Sequence, residues 1–118
     1  MPRRIALLAL LAAVASCEDV TAADLPSTFV TLTPRSASAA CVIADPEPAA
    51  VRQDRGVSFV NQSSVQITLV LKQNDVPLVS VSPGDTSRAV KFSDPGIYDY
   101  YSQGCGAGDL HTLSVTIN

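Results

Sequence analysis

From Gly56 onward the chain is written in short apolar stretches that alternate every second residue and stop at turns. "GVSFVN" puts Val57 and Phe59 on one face. "VQITLVL" puts Val65, Ile67, Leu69 and Leu71 together, opposite Gln66 and Thr68. A period of two is the mark of a strand with one buried face. "VPLVSV" continues the series, and Pro77 assigns it to an edge or a strand start, because proline gives a ladder no donor. "SPGD" (82–85) and "DPGI" (94–97) set Pro before Gly, the chemistry of a type II turn. The intervening "TSRAVKF" is expected to be a strand, followed by "IYDYY" (97–101) and "HTLSVTI", with Leu113, Val115 and Ile117 on one face. Upstream, Pro46 and Pro48 stop any helix in the alanine-rich stretch, so 40–44 also reads as a strand. "TFVTL" (28–32) is either a first strand or the end of a leader. Seven or eight strands roughly eight to twelve residues apart predict an all-β, antiparallel-rich β-sandwich with Greek-key connections.

The N-terminus is not part of that fold. Arg3 and Arg4 precede the uncharged apolar run 5–15, and small residues follow at Ala15 and Ser16. This reads as a secretory signal peptide, too short to span a bilayer. "VASC" resembles the bacterial lipobox, in which the cysteine becomes the first mature residue and carries lipid; ordinary cleavage after Ser16 is the alternative. Cys17 is therefore the expected lipidation site, with the chain divided into a signal peptide (1–16), a small acidic tether (17–27) and one domain (28–118). Several acyl chains at roughly 0.8 kcal/mol per buried methylene make such an anchor effectively permanent. The expected location is the bacterial cell envelope. Glu18, in place of the Asp that resembles an inner-membrane retention signal, points to the periplasmic face of an outer membrane.

Removing 16 residues leaves 118 − 16 = 102, with six basic and eleven acidic side chains, 6 − 11 = −5. Six scattered cations give no nucleic-acid footprint, and charge alone does not hold so acidic a domain on anionic lipid. No second run of 18 apolar residues exists, so the mature chain has no spanning segment.

Three cysteines are an odd number for an exported protein. With lipid on Cys17, Cys41 and Cys105 are left to form a disulfide, which restricts the unfolded chain by about 4 kcal/mol. The competing reading is two free thiols that, with His111, make a soft-metal site.

Between about Ala40 and Asn118 the chain resembles the cupredoxins, the plastocyanin-like blue copper domains. "GVSFVNQSS", "VSPGDTSRAVKF" and "PGIYDYY" carry the likeness in order and spacing. The resemblance implies a copper site made by two histidines, a cysteine and a methionine. At the implied positions stand Gln66, Ser102, Cys105 and the pair Asp109-Leu110, so none of the four ligands matches. A shifted reading takes Cys105 and His111 as ligands, but His111 is the only histidine. The resemblance also implies that early and late strands are neighbours, compatible with a Cys41–Cys105 bridge; Gly104, Gly106 and Gly108 supply positive-φ freedom to the loop around Cys105, or mark it as flexible.

No catalytic residues are assigned. Asp109 and His111 lack a nucleophile elbow, and His111 is expected at a partly exposed strand start. Gln66, Tyr101 and Ser102 are expected at one end of the sandwich, forming the candidate binding end. The sequence thus predicts a lipid-anchored, non-enzymatic binding or structural module with no cofactor, joined to the membrane by its anchor and meeting an envelope protein. The alternative is a metal-handling protein, binding copper or transferring electrons through a Cys105/His111 site.

Overall fold

The computed structural model describes residues 25–35 and 40–117; the expected signal peptide, Cys17 and most of the expected tether lie outside them. Eight strands are present: β1 (Thr28–Pro34), β2 (Val42–Asp45), β3 (Ala49–Arg52), β4 (Val57–Asn61), β5 (Ile67–Leu71), β6 (Pro77–Val81), β7 (Gly96–Ser102) and β8 (His111–Thr116). They form a three-stranded sheet, β2-β1-β4, and a five-stranded sheet, β3-β8-β7-β5-β6. The fold class is the expected all-β sandwich. Most neighbours are antiparallel; β1 runs parallel to β4 and β3 parallel to β8.

The period-two pattern fills the space between the sheets. Val30 and Leu32 of β1, Val57 and Phe59 of β4, Ile67 and Leu69 of β5, and Leu113 and Val115 of β8 are all buried in one cluster. Phe59 meets the ring of Tyr100 edge-on, with centroids 5.5 Å apart, an arrangement that adds to simple area burial. Tyr98 and Tyr100 share a face, and Tyr98 packs on Phe92 at 4.5 Å.

One open reading closes and two local expectations change. The stretch "TFVTL", left between a strand and the end of the leader, is a strand, and it is central to its sheet. Ala49–Arg52, given no strand by the sequence, is β3, whose Ala49 and Val51 are buried against β8. Residues 86–92 are not a regular strand. They pair with β4 only through the isolated bridges Val60↔Thr86 and Val57↔Val90. Four steps from 86 to 90 face three from 57 to 60, so one residue is in excess. Ser87 absorbs it: its Oγ accepts from the Phe59 amide at 2.9 Å while its own amide donates to the Phe59 carbonyl at 2.8 Å. A bulged segment of this kind covers the open edge of β4 without offering a new template for pairing.

The strands define two ends. At one, Leu25–Ser27 enter the domain, though the sequence assigned them to the tether. The Ser27 amide donates to the Gly56 carbonyl at 3.0 Å, and Arg55 Nε donates to the Leu25 carbonyl at 2.9 Å. At the other end lie the end of β1, the starts of β2 and β8, and the β7–β8 loop.

Candidate functional site

The far end is closed by covalent chemistry. Cys41, just before β2, and Cys105, in the β7–β8 loop, are disulfide-bonded, with Cα atoms 4.8 Å apart and 64 residues between them in sequence. A loop of that size corresponds to about 4 kcal/mol of lost unfolded-chain entropy. Of the three loop glycines, Gly106 alone takes a positive φ, 107°. There the loop turns back on itself, and its amide donates to the Ser102 carbonyl at 3.1 Å.

Beside the bridge is a compact polar cluster organised by Asp109. One of its carboxylate oxygens takes Arg35 Nη2 at 2.5 Å; the other lies 3.6 Å from Cys105 Sγ and 3.8 Å from His111 Nε2. On the opposite side of the imidazole, Glu47 Oε1 is 3.6 Å from Nδ1, and Glu47 Oε2 accepts from the Thr112 amide at 3.1 Å. His111 is thus buried, at 4% exposure, rather than partly exposed at a strand start. It is covered by Glu47, by Asp109 and by the Tyr100 ring, 5.3 Å away. Among the described residues, two buried side-chain polar atoms have no hydrogen-bond partner in the protein, His111 Nε2 and the Tyr100 hydroxyl. Burial, and next the negative charge of Glu47, push the Tyr100 phenol well above its usual value.

The expected binding end does not assemble. Asn61 is fully buried and fixes the β4–β5 loop. Its Nδ2 donates to the carbonyls of Val65 at 2.8 Å and Val81 at 2.9 Å, and its Oδ1 accepts from the Ser63 amide at 2.9 Å. Gln66 follows on the exposed side of that loop. Ser102 lies at the same end but is buried, at 1% exposure, because its alternation places it with Tyr100 on the inner face. Tyr101 faces outward and leans away, its hydroxyl donating to Asp75 Oδ1 at 3.0 Å in the β5–β6 turn at the other end. That hydrogen bond is the main reason its phenol is held above its ordinary value. Gln66 and Tyr101 are both accessible but point to different ends, and Ser102 is enclosed.

The positions that the resemblance would give to copper do not suit the metal. Both described cysteines are disulfide sulfur rather than thiolate, Gln66 offers an amide, and Ser102 is enclosed. Among the described residues no three His, Cys, Asp or Glu side chains are placed to hold a metal ion. The Cys105/His111 alternative is likewise separated by the Asp109 carboxylate. Sequence reasoning missed Arg35, Glu47 and Tyr100 as partners in this cluster. Arg35 and Glu47 sit outside any periodic pattern, next to Pro34 and between Pro46 and Pro48 respectively.

No protein-family model matches the chain, and no curated protein is similar to it at a significant level. Among solved structures it is similar to one described as a novel purple cupredoxin from Nitrosopumilus maritimus, with a TM-score of 0.58 and 16% identity. The match covers 76% of this chain and 100% of that one. Identity this low speaks to the fold alone. The chain therefore has a cupredoxin-like β-sandwich fold, closed at one end by a Cys41–Cys105 disulfide.

Proposed function

We propose that this protein is a lipid-anchored module of the bacterial cell envelope with a binding or structural role and no catalytic one. The observation that carries the reading is the disulfide. It uses Cys41 and Cys105, leaving Cys17 as the one cysteine without a thiol partner, in a sequence context that resembles a lipobox. A bridge of this kind belongs to an oxidising compartment, in keeping with export. The chain enters the domain at Leu25–Ser27, at the end opposite the disulfide. The module thus presents its far end, with exposed Ile43, Val65, Gln66 and Leu110, to a protein partner in the envelope.

Membrane fractionation tests the anchor. The wild-type protein is expected in the membrane fraction after a high-salt wash, and Cys17→Ser is expected to release it. Recovery of the wild type in the soluble fraction would contradict the reading.

A second reading, metal handling, is favoured by one observation. His111 Nε2 is buried without a partner beside Asp109, whose carboxylate also borders Cys105. Reduction of the disulfide would add two thiols to that neighbourhood, a donor set suited to a soft metal. Titration of the reduced and oxidised protein with Cu(I) separates the two readings. The first expects no binding by the oxidised form; tight binding confined to the reduced form would favour the second.

A further inference from the structure

We propose that the end where the leader enters the domain is a surface that seats on the anionic membrane carrying the anchor, a proposal that rests on lipidation of Cys17. Leu25–Ser27 fix the starting point, since the leader is hydrogen-bonded to the body from Leu25 onward. From Cys17 to Leu25 there are 25 − 17 = 8 residue steps, which reach at most about 28 Å when fully extended. This end is therefore held near the headgroups whatever path the tether takes. At such high effective concentration a contact too weak to act alone is occupied.

The chemistry of this end suits a headgroup layer. Large apolar side chains project from it into solvent: Phe29 at 48%, Ile97 at 62% and Ile117 at 69% exposure. Beside Phe29 runs a groove of about 520 Å³, between Pro26 and the bulged segment on β4. Two cations, Arg88 and Lys91, line it, and no acid does. Arg55 is held at the leader itself. Of the acids here, Asp54 pairs with Arg52 at 3.5 Å, Asp75 takes the Tyr101 hydroxyl, and Asp94 is exposed in the turn before β7; the tether sequence adds Glu18, Asp19 and Asp24. Glu47, Asp85 and Asp109 lie toward the disulfide end, where Arg35 is the cation, and Asp45 pairs with Thr31 midway along β1. The acidic domain is repelled as a whole by an anionic surface, and the placement of Arg88 and Lys91 orients it with the disulfide end outward. Each cation near such a surface contributes favourably over a Debye length, while apolar side chains enter the interface.

The chain contains no tryptophan, so a single one reports its own surroundings. Two variants, Phe29→Trp and Ile43→Trp, probe the two ends. Each is studied as the native lipoprotein and, separately, as the mature chain coupled through Cys17 to a maleimide lipid. The vesicles are of mixed zwitterionic and anionic phospholipid with brominated acyl chains, which quench tryptophan at short range. The expected result in both forms is blue-shifted, strongly quenched emission from position 29 and solvent-like emission from position 43. Replacing Arg88 and Lys91 by Gln lowers the seated-to-free ratio by roughly thirtyfold, at about 1 kcal/mol per cation, and added salt acts in the same direction. Equal quenching at the two positions in the coupled form overturns the seating. So does solvent-like emission from the Phe29→Trp variant, which would leave the groove to a protein partner. Failure of the native protein to float with the vesicles overturns the anchor, and with it the seating in the cell.

Discussion

The two ends of the sandwich solve the same problem, how to finish a sheet edge and its loops, with different means. The disulfide end is closed by a covalent bond and a buried polar cluster in which Asp109 touches Arg35, Cys105 and His111. The leader end is finished by backbone: residues 86–90 lie on the open edge of β4 through a one-residue bulge, and Phe29 is left half exposed. One end spends its polar side chains on itself. The other sets Arg88 and Lys91 beside the outward-facing Phe29, while apolar side chains face solvent at both ends, Ile43, Val65 and Leu110 among them at the closed one.

The largest expected effect is at the closed end. Replacing Cys41 and Cys105 together by Ser should lower the unfolding free energy in urea by about 4 kcal/mol. A loss below about 1 kcal/mol would mean that the polar cluster, not the bridge, holds the loop. At the leader end the counterpart is Gly56→Ala. Gly56 has a φ of 82°, and a Cβ there would lie 2.4 Å from the Val90 carbonyl oxygen. Because the obstacle is backbone, the bulged segment must shift, and about 2 kcal/mol should be lost in the same assay.

Tyr100→Phe should act in the opposite direction. It removes a buried hydroxyl with no protein partner, so stability near neutral pH should be unchanged or rise by up to about 1 kcal/mol. The sign of the pH dependence follows from the raised phenol. The folded state keeps a proton that the unfolded chain gives up near about pH 10. Stability is therefore full below that pH and falls as pH rises above it, and Tyr100→Phe should lose the Tyr100 share of this alkaline dependence in pH-resolved urea titrations, leaving that of Tyr101. The smallest effect belongs to Phe29→Ser, within about 0.5 kcal/mol for an exposed site. A cost of about 2 kcal/mol, the scale of a truncated core side chain, would make Phe29 part of the core and weaken the contrast between the ends.

The strands with strict alternation were legible in the sequence because burial on one face writes itself every second residue. Val57 and Phe59, Ile67 and Leu69, and Leu113 and Val115 are all core. β3 was not legible. Its four residues include two alanines, follow Pro48, and are specified by pairing with β8, which no local pattern encodes. Residues 86–92 alternate like a strand, but a single extra residue against β4 breaks the ladder. The disulfide followed from counting cysteines, whereas the burial of His111 depended on Glu47 and Tyr100 meeting it from distant stretches of chain. Tyr101 was placed on the correct face and at the wrong end, because the reach of its hydroxyl to Asp75 is a tertiary fact. The residues around Cys17 are outside the described structure, and the anchor rests on sequence alone.

The most direct test is alkylation of the purified mature protein with a thiol reagent under denaturing conditions, before and after reduction, read by intact mass. The account predicts a mass that includes lipid on Cys17, no alkyl group added before reduction, and two added after it. One group added before reduction would show Cys17 free and remove the anchor; addition at Cys41 and Cys105 without reductant would contradict the disulfide-closed end itself.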